Sequence, residues 1–92
     1  MTRYVTLIRF TDQGARKFGK SLNRALAFRR AAEKAGLTVE TQLWTMGAYD
    51  GVVVLSGDEK KILRCLAQLA AQGNVRTETL RAFDARDAKA AF

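Results

Sequence analysis

Apolar residues recur along this chain at two spacings, one of two residues and one of three to four. Residues 3–10 read as a first strand, with Tyr4, Thr6, Ile8 and Phe10 on one face and Val5, Leu7 and Arg9 on the other. Residues 11–14 read as a break or a single helical turn. Residues 21–35 follow the helical period. Ala25, Phe28, Ala32 and Ala35 form the buried stripe, Ser21 is the N-cap and Gly36 the stop. Residues 38–46 read as a second strand and 51–56, the run Gly-Val-Val-Val-Leu-Ser, as a third. The link at 47–50 is short enough for a hairpin. A second helix at 59–72 starts with a Ser56–Glu59 capping box or with Asp58 as cap. It buries Ile62, Cys65, Leu66 and Leu69, and stops at Gly73. Residues 74–83 read as a fourth strand and 85–91 as a short terminal helix.

The order is β-α-β-β-α-β, the ferredoxin-like split βαβ of an α+β protein. It predicts one domain over residues 1–92, an antiparallel sheet with two helices on one face. Those helices cover only that face. Yet the first and third strands carry apolar residues on both sides, where a half-wet sheet should alternate more cleanly. A second copy packed sheet to sheet would cover the other side, so a symmetric homodimer with a barrel-like core is expected.

Composition narrows the chemistry. A hydrophobic fraction of 48% in 92 residues argues for a folded chain. No apolar run approaches the roughly 20 residues that span a bilayer, and no signal-peptide pattern opens the chain. With one cysteine, Cys65, these features predict a cytoplasmic protein without an internal disulfide. There is no histidine, which removes the usual general base, the Ser-His and Cys-His nucleophile pairs and most zinc sites. No glycine-rich nucleotide motif occurs, so neither a metal nor a cofactor is expected. The net charge of +7 lies wholly in residues 1–34, which hold nine basic and two acidic residues. Arg16, Lys17, Lys20 and Arg24, with Arg30 and Lys34, could therefore grip nucleic acid or another polyanion, or simply form a solvated face.

The segment 44–55 concentrates the remaining chemistry. Trp44 could wall a ligand cavity or serve as a core or interface aromatic. Tyr49 and Asp50 form a polar pair at a pocket mouth, or they are turn residues. Arg9, Arg76 and Glu78 sit on strands that look central. They form an ion-pair network across the sheet, or the arginines bind a carboxylate or phosphate. Together these residues define a candidate small-molecule pocket between sheet and helices.

Three stretches carry a family likeness: Tyr4–Gly14, Trp44–Val54 with Gly47-Ala48-Tyr49-Asp50 at its centre, and Gly73–Phe83. With residues 27–36 between them, they resemble the GYD-domain family over nearly the whole chain, in the G-x-Y-D form. Leu22 stands where proline is expected in similar sequences, which blurs where the first helix begins. The resemblance implies a ferredoxin-like, dimeric α+β barrel of uncharacterised function. The reading is then a small-molecule-binding dimer, with cofactor-independent catalysis as one form that binding could take. Its alternatives are a polyanion-binding module and a structural or interaction domain.

Overall fold

A computed structural model describes residues 2–92. The elements run β1 (Thr2–Phe10), α1 (Asp12–Arg16), a 3-10 turn (Phe18–Lys20), α2 (Ser21–Lys34), β2 (Thr38–Trp44), β3 (Gly51–Gly57), α3 (Glu59–Ala71), β4 (Val75–Ala82) and α4 (Ala85–Ala91). The four strands form one sheet in the order β2-β3-β1-β4, every pair antiparallel. This is the ferredoxin-like α+β arrangement. The sheet is open at both edges, so one chain does not close a barrel. β4 is an edge strand, which places Arg76 and Glu78 at the rim of the sheet and only Arg9 at its centre.

Period-two alternation sorts the strands into two faces. Tyr4, Thr6 and Ile8 pair across the ladder with Leu55, Val53 and Gly51 and lie on the helix side. Ala32 of α2, Ile62 and Cys65 of α3, Leu37, Val39, Val53 and Leu55 form the buried core there. Thr6 is fully buried, and its hydroxyl meets that of Thr79 at 3.1 Å, so the polar group has its partner. The other face presents Val5, Leu7, Val52 and Val54, all half-buried, with Leu43 at 56% and Leu80 at 51% exposure.

Local chemistry explains the element ends. Asp58 caps α3, its carboxylate accepting from Lys61 N. Of the two starts the sequence allows, this is the one adopted. Ser21 does not cap α2. The preceding 3-10 turn runs straight into the helix, so Ser21 already has helical angles (φ −62°, ψ −34°), whereas an N-cap needs an extended backbone. The break at 11–14 is a short helix, capped by the Thr11 hydroxyl on Gly14 N. That helix is held against the α3–β4 turn, where Thr11 N and Thr11 Oγ1 donate to Asn74 O and Gly73 O. The approach is close enough that a Cβ on Gly14 would sit 2.0 Å from Asn74 O.

β2 is shorter than the apolar pattern suggests, and a bulge falls between Val39 and Thr41. The bulge leaves Glu40 free to meet Arg3 from β1 at 2.8 Å. Arg3 also reaches Asp84, just beyond β4, at 3.2 Å. One guanidinium thereby ties both edges of the sheet to its centre. Arg3 holds the Glu40 carboxyl below its ordinary range. Asp84 is lowered too, first by the Asp87 backbone N–H and then by Arg3.

Candidate functional site

The loop 45–50 joins β2 to β3, and its last residue pins it to the sheet. Asp50 N donates to Ile8 O at 2.7 Å, extending the β1–β3 ladder one step past Gly51. The Asp50 carboxylate then accepts from Phe10 N at 2.7 Å, taking the place of the next strand carbonyl. Thr45 closes the loop from the other side, with N donating to Asp50 O and Oγ1 to Tyr49 O. Gly47 supplies the left-handed backbone (φ 129°) that this path needs.

Two sites lie back to back across the sheet. On the helix side is a cavity of about 80 Å³ with mainly apolar walls, Phe10, Phe28, Val53 and Trp44 among them. Asp50, Arg24, Ser21 and Gln42 supply polar groups at its lining. Trp44 is anchored by its indole N–H to Ser21 Oγ at 3.2 Å, and Gln42 Nε2 donates to Ala25 O. Arg24 is half-buried. It donates to Lys17 O and Gly14 O, with its guanidinium 5.7 Å from the Phe10 ring centre.

On the open face stand Arg9, Tyr49, Arg76 and Glu78. The Tyr49 hydroxyl donates to Glu78 Oε2 at 2.5 Å, and Arg9 lies 4.7 Å from the Tyr49 ring centre. The Glu78 carboxylate pushes the Tyr49 hydroxyl above its ordinary pKa, with burial adding to the effect. Tyr49 is thus held as a hydrogen-bond donor at neutral pH.

The six residues that the sequence gathers into one candidate pocket therefore stand in two places. Trp44 and Asp50 line the helix-side cavity, while Arg9, Tyr49, Arg76 and Glu78 occupy the far face. Among the described residues no ion pair links Arg9 or Arg76 to Glu78. Of the basic set, Arg16, Lys17 and Lys20 are exposed, whereas Arg24 ties the end of α1 to α2. No group of three or more metal-ligating side chains occurs among the described residues. Burial raises the Cys65 thiol pKa, so it is a poor nucleophile at neutral pH.

Sequence reading missed the Arg3–Glu40–Asp84 cluster and the reciprocal capping box of Asp84 and Asp87. The D-x-x-D spacing at 84–87 was a usable signal for the second. Nothing local signals the first, because it depends on the bulge.

Asp50→Ala is expected to cost about 1–3 kcal/mol, because it leaves the Phe10 N–H half-buried without an acceptor. Asp50→Asn keeps an oxygen in place and should cost less. Urea unfolding of both variants checks this, and equal losses would contradict the capping role.

A family model described as the GYD domain matches residues 4–92. A Thermus thermophilus protein described as "glutamine synthetase and cystathionine beta-lyase binding protein" is 33% identical over 89 residues, covering 95% of this chain and 94% of its own length. The crystal structure of TTHA0845, also from Thermus thermophilus, is 29% identical, with a TM-score of 0.53 over 92% of this chain and 96% of that one.

Proposed function

The chain belongs to the GYD-domain family; we propose that it is a homodimeric protein-binding module rather than a catalyst. The observation that carries this reading is the open sheet face, where Val5, Leu7, Leu43, Val52, Val54 and Leu80 remain half-buried or exposed. Apolar side chains on this scale favour a protein cover. A second copy stacked sheet to sheet supplies one by symmetry and makes the barrel that a single open sheet lacks.

Catalysis fits the geometry less well. The cavity that takes in Trp44 and Asp50, about 80 Å³, is small beside the roughly 300–1,000 Å³ of ordinary ligand pockets, and the wider hollow of about 460 Å³ between α3 and the sheet has Glu59 as the one acid among its described lining residues. Asp50, the one acid among the described residues lining the smaller cavity, is engaged by Phe10 N. Tyr49, on the other face, is held as a donor to Glu78. A small ligand in that cavity is the second reading, supported by its polar lining groups. A polyanion role for Arg16, Lys17 and Lys20 rests on charge alone. The single cysteine fits the reducing cytoplasm. No helix among the described residues is long and apolar enough to cross a membrane.

The relative described as binding glutamine synthetase and cystathionine beta-lyase makes those two enzymes the first partners to try. Each enzyme, purified from the source organism, is passed over the immobilised chain in surface plasmon resonance. Saturable micromolar binding of at least one is expected. Binding of neither would overturn the partner half of this reading.

A further inference from the structure

Arg9 and Arg76 stand directly opposite one another in the β1–β4 ladder, and both are exposed. Alternation sends both to the open face, since Ile8, Phe10, Val75 and Thr77 take the helix side. Directly opposed residues hold their Cβ atoms about 4.5–5.5 Å apart, and like charges so placed repel. A fold ordinarily answers such a pair with an acid. Here, among the described residues, neither guanidinium has a carboxylate oxygen within 4.0 Å.

The acid next to them on that face is Glu78, cross-strand from Leu7 and two residues from Arg76. It accepts from the Tyr49 hydroxyl instead. Tyr49 thus does two things: it engages one oxygen of Glu78, and its ring lies 4.7 Å from the Arg9 guanidinium. Two guanidinium groups, one of them over a ring, are left on neighbouring positions of one face with no carboxylate oxygen within 4.0 Å among the described residues.

The geometry points to an oxyanion site bridged by Arg9 and Arg76, taking a phosphate or carboxylate group. Such groups accept two parallel N–H bonds from a guanidinium, so one of them can engage both arginines and cancel their repulsion. Two sources can supply the group: free inorganic phosphate, or a carboxylate of a second copy. The pair is exposed in the single chain, so the site itself does not depend on the dimeric reading.

The test titrates inorganic phosphate into the full chain by calorimetry at constant ionic strength, with self-association followed separately by light scattering. A free-anion site gives saturable binding that Arg9→Gln and Arg76→Gln each weaken by about tenfold or more, which Lys60→Gln leaves unchanged. If phosphate does not bind but each arginine variant weakens self-association by about tenfold, the second copy's carboxylate fills the site. The inference is overturned by phosphate binding the wild type and both variants alike. It is equally overturned if phosphate does not bind and both variants associate as the wild type does.

Discussion

Leu55→Ala should lose about 2–5 kcal/mol of folding stability, the range for a leucine truncated in a core that cannot collapse. Leu55 is 0% exposed and sits in central strand β3, paired with Tyr4 on one side and Val39 on the other. Buried α2 and α3 residues, Ala32 and Ile62, belong to the same core. With rigid strands on both flanks and helices above, the space left by the lost methyl groups has little to fill it. Small domains hold only about 5–15 kcal/mol in total, so this one change would consume a large share. Urea unfolding should show a lower midpoint with an unchanged slope. A loss below about 1 kcal/mol would mean that the site repacks or lies outside the core.

The residue before it predicts a different failure. Val54 is half-buried on the open face, cross-strand from Val5 and Thr41. Val54→Lys leaves the core beneath untouched, so a monomer bearing it should fold with stability close to the wild type. In a sheet-to-sheet dimer, symmetry places two such ammonium groups in one apolar interface. An unpartnered charge buried this way costs about 3–5 kcal/mol, so self-association should weaken by at least about a hundredfold. Light scattering and circular dichroism together separate the outcomes. Lost helix and strand signal would put Val54 in the core; unchanged association would remove the open face from the interface. One strand, with two neighbouring residues on opposite faces, should thus give two separable phenotypes.

Much of this was legible in the chain. The βαββαβ order, the two helix stripes and the apolar character of both strand faces follow from periods of two and 3.6 residues. The parting of Tyr49 from Asp50 was not legible, because both lie in the loop between β2 and β3, where strand alternation does not hold. The bulge beside Glu40 was not legible, because it shifts the alternation by one residue within the polar run Glu40-Thr41-Gln42, where no apolar position marks the shift. The failure of Ser21 as a cap was hidden too. It depends on the 3-10 turn before it, which Phe18, Gly19 and Lys20 do not announce. The size of the helix-side cavity is a packing quantity that no local signal carries.

Absolute molar mass in solution tests the central proposal most directly. Size-exclusion chromatography with light scattering at micromolar concentration should give about twice the 10.2 kDa of one chain, falling to one chain for Val54→Lys. A wild-type mass of one chain across that range would contradict the proposal, because the open face would then stand in water without a second copy to cover it.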